Sequence, residues 1–374
     1  MLDAAYLTLL IGSPLVPLPA PLPVAEALQS IEVNSERTRS GFQLTFTMGK
    51  TSPLQLALLP AGYFDPISTR VVVIVTFRGL PQVLMDGIVT RQEMSPSNEP
   101  GQSKLTITGE DLSILMDIVD ARIPYPPMPD EARISMILSK YLQFGITPAI
   151  VPPPVPTTPD PLSPFVQTTT DRAYIKELAG QSGYVFFVQP GPAPLQSTAY
   201  FGPDAPLPIP QPALSVNSDS DTNVESLSFS LDGLAKKVMV MFIMDPVTHK
   251  IPLPIPIPNI SILHPPLGAR LTAPAKIQFA DDTAKLAPDE AAKRAFGMMM
   301  DNADAVTGSG SLSVSRYGSI LRAGMMVGVR GAGITYDGFY YVNSVTHSIK
   351  RGEYKQSFQV SRDGLITNTP VVGP

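Results

Sequence analysis

The sequence contains no cysteine and no tryptophan, and only three of its 374 residues are histidine. Without cysteine there is no disulfide framework, no thiolate metal site and no cysteine nucleophile, and the usual clue to redox compartment is missing. Positive charge is also short: 27 Lys and Arg stand against 32 Asp and Glu, a formal net charge of -5. The chain as a whole lacks the positive field that phosphate backbones or anionic membranes attract, so no nucleic acid partner is expected. No apolar run reaches the roughly 20 residues of a membrane helix. The opening MLDAAYLTLLIGSPLVPLPAPLP has Asp3 where a signal peptide needs positive charge, and proline interrupts it early. AYLTLLIG therefore reads as a first strand. G-x-S-x-G, P-loop and dinucleotide fingerprints are absent.

Hydrophobic residues make up 44% of the chain, ordinary for a folded protein, and the length suffices for two or three domains. The surplus is proline, 42 residues, half of them clustered at 14–23, 152–164, 203–212 and 252–258. Proline fixes φ and donates no backbone hydrogen bond, so these runs read as extended connectors between folded pieces.

Between the connectors the periodicity is mostly that of strands. SGFQLTFTMG places Phe42, Leu44, Phe46 and Met48 on one face, and RVVVIVTF is a β-branched run suited to burial on both faces. MDGIVTRQEM and SKLTITGED read as a hairpin leading into a short helix, DLSILMDIV. The middle of the chain is different. DEARISMILSKYLQFG carries Ile134, Ile137, Leu138, Tyr141 and Leu142 at helical spacing, with Asp130 as N-cap and Gly145 as stop. TTDRAYIKELAGQSG adds a second helix with an Ala173, Tyr174, Leu178, Ala179 stripe, followed by strands YVFFVQPG and STAYFG. From Thr222 strands return: TNVESLSFSLDG alternates imperfectly, KKVMVMFIMD reads as buried, and one helix at 289–305 precedes a glycine-punctuated final block.

That final block ends in DGFYYVNSVTHSIKRGEYKQSFQVSRDG, a hairpin turning at KRGE. In its first strand Tyr340 and Val342 have one parity and Val345, His347 and Ile349 the other. A β-bulge at Asn343 or Ser344 would turn all five inward. The two hairpins also echo each other: both begin Asp-Gly, at Asp86–Gly87 and Asp337–Gly338, and both close on an acidic residue, a hint of one duplicated unit.

The segments TDRAYIKELAGQSGYVFFV, AYFG and LRAGMMVGVRGAGITYDGFYYVNSVTHSIKRGEYKQSFQVSRDG closely resemble the late control protein D family of phage tail hubs, over about Tyr6 to Gly364. The hairpin's share is carried by Gly338, Tyr340, Val342, His347 and Ile349. The resemblance implies a mainly β fold with an α/β insertion. It has a first tube-like antiparallel β-barrel at 1–120, an α/β insertion domain at 121–215, a second barrel from 216–250 and 306–374, and a Pro-rich helical insertion at 251–305. It implies a homotrimer whose six barrels match a hexameric tail tube, a symmetry adaptor between rotational orders. The implied partners are the inner tube or a tube-initiator protein, other baseplate components and a trimeric spike. Because the sequence stops ten residues after Gly364, the spike is expected on a separate chain. Assembly in the bacterial cytoplasm, as part of the baseplate of a phage tail or tail-like particle, follows from the same likeness, and no cofactor is implied.

Other classes fit less well. The paired carboxylates Glu110–Asp111, Asp281–Asp282 and Asp289–Glu290 would point to opposite faces of a strand, and read better as helix starts. His249 and His264 sit in proline-rich loops without spacing to a second metal ligand. His347 falls between Val345 and Ile349 in a core-facing row. No catalytic or metal-binding residue is therefore assigned. A tail-tube subunit would need one barrel per chain, and a cell-wall-directed hydrolase would need a catalytic set. Assembly candidates are Asp86, Gly87, Gly338, Tyr340 and His347 in the echoing hairpins, and Lys350, Arg351 and Lys355 at the basic tip.

Overall fold

A computed structural model describes residues 5–99, 101–155, 165–204, 207–244, 252–257, 266–280, 283, 286, 288–300 and 304–368. One thirteen-stranded sheet dominates. Its path runs through Val224–Leu231, Val306–Ser313, Glu353–Arg362, Gly338–Lys350, Leu28–Glu36, Ser40–Met48, Ser103–Asp111, Leu80–Ser95, Arg70–Phe77, Tyr6–Gly12 and Pro17–Pro19. Met325–Arg330 joins the side of Gly338–Lys350 and carries Leu207–Ser215.

Six strands of this sheet repeat six others in order, leaving Pro17–Pro19 outside both sets. The N-terminal unit is Leu28–Glu36, Ser40–Met48, Ser103–Asp111, Leu80–Ser95, Arg70–Phe77 and Tyr6–Gly12; the C-terminal unit is Val224–Leu231, Val306–Ser313, Glu353–Arg362, Gly338–Lys350, Met325–Arg330 and Leu207–Ser215. The irregularities repeat too. The first strand of each unit carries an extra residue at the same step, Gln29 in one and Glu225 in the other. The hairpin strand carries one at Thr90 and at Asn343. Aligned on these bulges, Ile31 matches Leu227, Val33 matches Phe229 and Val89 matches Val342. The units differ at the last strand, which pairs antiparallel in the first and parallel in the second.

The bulges explain both breaks in the sequence alternation. At Asn343 the extra residue lets Tyr340, Val342, Val345 and His347 all be buried, as the parity argument requires. At Glu225 it puts Val224 in phase with Leu227 and Phe229. The apolar faces of both units share one core, including Ile31, Val33, Phe42, Leu44, Phe46, Val71, Val73, Val75, Leu105, Ile107, Val342, Val345 and Phe358. The Asp-Gly echo is out of register, because the bulge alignment puts Asp86 and Gly87 opposite Phe339 and Tyr340, two residues beyond Asp337–Gly338.

Proline does more than connect. Leu207–Ser215 and Pro252–Ile257 are strands at the margins of their sheets. Prolines 252, 254 and 256 recur every second residue, and period 2 sends all three ring nitrogens to the same, open edge while the intervening residues keep their donors for the ladder. The run at 156–164 lies outside the described residues.

A second core lies in the middle of the chain, where helices Asp130–Ser139 and Asp171–Ser182 share a cluster with the mixed sheet of Ile146–Ile150, Ser197–Pro203 and Tyr184–Pro190. Thr170 caps the second helix and Gly183 ends it in the left-handed region. Ala173 is exposed and Ile175 takes its place in the buried stripe. Asp130 is not the cap of its helix. Pro129 holds that position, and the Asp130 carboxylate instead lies buried between Arg133 and Lys293. The Lys237–Met244 strand stands apart from the main sheet, at the centre of a three-stranded sheet with Pro252–Ile257 and Lys276–Phe279. Helix Pro288–Met300 packs on that sheet and on helix Asp171–Ser182.

Candidate functional site

The two units meet edge to edge. Leu28–Glu36 of the first lies antiparallel on the distal half of Gly338–Lys350 of the second, from Ser344 opposite Glu36 to Lys350 opposite Ser30. Its alternation explains the fit: Ile31 and Val33 face the core, while Ser30, Glu32 and Asn34 face out. On the polar side the Thr346 hydroxyl donates to Asn34 Oδ1 at 3.2 Å. On the apolar side Val33 lies opposite His347 and Ile31 opposite Ile349. This seam joins residues more than 300 positions apart, which no local pattern announces. The segment LQSIEVNSE carries an ordinary strand alternation, with nothing in it that names this partner.

His347 lies in this seam at 3% exposure. Its Nδ1 is 2.7 Å from the Tyr354 hydroxyl and 3.2 Å from Gln356 Nε2. Gln356 in turn accepts from the Leu321 amide and donates to the Leu321 carbonyl. Burial, with a smaller push from Arg322, lowers the imidazole pKa to about 3, and burial raises that of the Tyr354 phenol. A neutral ring held among satisfied partners is a packing element that secures the hairpin, and it is poorly placed to exchange protons at neutral pH.

Asp86 and Gly87 are interior, not surface, residues. The Asp86 carboxylate takes Arg70 Nε and Nη2 at 2.7 Å each and Ser197 Oγ at 3.1 Å. Arg70 Nη1 donates to the carbonyls of Pro14 and Phe144. This buried group therefore ties the first unit to the middle segment. A Cβ on Gly87 would lie 2.2 Å from the Glu110 carbonyl oxygen, so only glycine allows the strands to approach there. In the second unit Gly338 has φ +124 and faces Thr367, and the Tyr340 ring lies under the Arg362 guanidinium at 4.4 Å. Arg362, fully buried, donates to the carbonyls of Asp337 and Thr335. Sequence patterning gave no sign of Arg70 or Arg362 as buried anchors.

The tip residues divide. Arg351 donates back to the Glu26 carbonyl, across the seam, and Lys355 pairs with Glu225 at 3.1 Å and Glu353 at 3.3 Å, while Lys350 is exposed. Arg37, just beyond the seam strand, pairs with Asp204 on the rim of a cleft of about 510 Å³ that Arg322, Phe187 and Tyr200 also line.

Asp111 caps the short turn Leu112–Met116 through the Ser113 amide at 2.9 Å, and Asp289 lies in the first turn of its helix. Asp281, Asp282, His249 and His264 lie outside the described residues. Among the described residues no cluster of three or more His, Asp or Glu could hold a metal ion, and no helix is long and apolar enough to cross a membrane.

Comparison with known proteins places this fold. No family model matches the sequence, and no curated protein matches it. Solved structures do. A tail protein from Neisseria meningitidis MC58 matches at TM-score 0.62 and 14% identity, over 96% of this chain and 98% of that one. The 43 kDa tail protein of prophage MuSo2 from Shewanella oneidensis matches at TM-score 0.61 and 13% identity, over 97% and 100%. The E. coli c3393 protein, described as a component of the type VI secretion system with structural similarity to phage T4 tail proteins gp27 and gp5, matches at 0.53 and 12%, over 93% and 77%. The chain has the fold of phage tail proteins and type VI spike-related proteins.

Proposed function

We propose that this chain is a structural baseplate hub: a homotrimer in which six sheet units, two per chain, close into a ring that continues a hexameric tail tube on one face and carries a trimeric spike on the other. Each unit would be one tube-like barrel domain, with the α/β segment between them and the proline-rich segment and helix Pro288–Met300 as elaborations. The observation that carries this reading is the internal duplication, in which two units with the same strand order and the same two bulges sit side by side through the seam. A chain built this way presents nearly the same surface twice, and three such chains supply six copies, which is what an adaptor between threefold and sixfold partners needs. A tube subunit would need only one. The reading is non-enzymatic: the buried, neutral His347 and the interior Asp86 are occupied by structural partners.

Native mass spectrometry of the purified chain tests it. A mass of three chains is expected, and a stable hexamer of chains, or only monomer in the presence of its tube and spike partners, contradicts it.

A further inference from the structure

Among the described residues, two strand edges of the duplicated units lie open where their counterparts are paired, and the seam shows what fits them. In the second unit, the distal half of Gly338–Lys350 pairs with Glu353–Arg362 on one side and with Leu28–Glu36 on the other. Its counterpart in the first unit is Arg91–Ser95, which pairs with Ser103–Asp111 on one side only; among the described residues no strand lies on its other edge. Conversely, Leu28–Glu36 uses both edges, whereas among the described residues its counterpart Val224–Leu231 pairs only with Val306–Ser313. Each chain thus has one open edge of each kind, with six strands between them. Open edges are templates for strand addition unless they are blunted. Neither stretch contains proline, and the large apolar side chains Met94 and Leu231 are 43% and 40% exposed on them.

We propose that Arg91–Ser95 of one chain pairs antiparallel with Ser228–Asp232 of a second copy, in the register of the internal seam. The bulge alignment fixes that register. Ser344 opposite Glu36 becomes Arg91 opposite Asp232, Val345 opposite Ser35 becomes Gln92 opposite Leu231, Thr346 opposite Asn34 becomes Glu93 opposite Ser230, and His347 opposite Val33 becomes Met94 opposite Phe229. The backbone beside the joint already matches: the Glu36 amide donates to the Arg39 carbonyl, and the Asp232 amide to the Ala305 carbonyl, each at 2.8 Å. The chemistry fits as well. Arg91 meets a carboxylate, and Met94, the counterpart of buried His347, meets Phe229, the counterpart of buried Val33. The joint is head to tail, so it closes a ring or propagates a filament. Closure at three chains rests on the hub reading above; the register does not.

The cysteine-free chain gives a clean test. Residues directly opposite in an antiparallel pair have Cα atoms about 4.5–5.5 Å apart, within disulfide range. A chain carrying Glu93→Cys and Ser230→Cys is oxidised mildly, and a second chain carrying Thr346→Cys and Asn34→Cys, the equivalent seam pair, calibrates the oxidation by closing within one chain. The expected product is a covalent trimer on a non-reducing gel, with no such product from Gln92→Cys combined with Ser230→Cys. Trimers in native mass spectra without the Glu93–Ser230 bond, or with the shifted pair bonding instead, overturn the register and leave the hub reading standing. Absence of both trimer and cross-link overturns both.

Discussion

Arg70 holds Asp86 through two parallel bonds of 2.7 Å inside the protein, and the remaining arginine nitrogen reaches the Phe144 carbonyl of the middle segment at 3.0 Å. The pair is an internal clamp, built where two pieces of the chain must keep one orientation.

Removing one partner should therefore be costly. Asp86→Ala leaves the Arg70 guanidinium buried without its carboxylate, a change that typically costs about 3–5 kcal/mol. Denaturant unfolding should show that loss. A decrease below about 1 kcal/mol would mean that water or a neighbouring group replaces the carboxylate without strain.

His347 gives a pH signature. Its folded-state pKa is about 3, below the ordinary histidine value of 6.5, so the unfolded chain binds the extra proton first as pH falls. The stability contributed by the neutral ring is whole above pH 6.5 and is lost on acidification from 6.5 towards 3. The slope is at most about 1.4 kcal/mol per pH unit. His347→Gln should be modestly less stable at pH 8, and its stability should fall less steeply than the wild type's between pH 6.5 and 4. Parallel curves for the two proteins would show that the ring titrates normally.

Two glycines separate packing from propensity. Gly297 of helix Pro288–Met300 lies against Gly183, and a Cβ on it would stand 2.8 Å from the Gly183 amide nitrogen. Gly297→Ala should destabilise by about 1–3 kcal/mol, the usual cost of overpacking, and should speed proteolysis around that helix. Gly180, on the exposed face of helix Asp171–Ser182, has open space around it, so Gly180→Ala should stabilise by about 0.4–1 kcal/mol. Equal effects at the two sites would remove the close helix contact from the account.

Most strands were legible because apolar alternation is a local signal. Phe42, Leu44 and Phe46, and the Val71–Val75 run, are buried as their patterns require. The Asn343 bulge was legible for the same reason, as a break in parity that burial had to repair. What stayed hidden depends on partners far along the chain. Asp130 looked like a helix cap because capping is local, whereas its carboxylate is held by Arg133, three residues on, and by Lys293, 163 residues away. Asp86–Gly87 and Asp337–Gly338 echo each other in sequence, but the bulges set the structural correspondence two residues further on. The prolines at 252–256 read as a connector because sequence alone cannot say which edge of a strand will be left open. Of the candidate site, His347 was placed correctly in a core-facing row, while the strand that covers it, Leu28–Glu36, became visible only in three dimensions.

A ring of six equivalent units made by three chains would be seen directly in a cryo-EM map of the assembled particle, sectioned at the hub. Such a map should show three copies of this chain in one ring, with the seam between Leu28–Glu36 and Gly338–Lys350 alternating with a matching joint between chains. A ring with six copies of the chain, or three copies whose sheets do not adjoin, would contradict it.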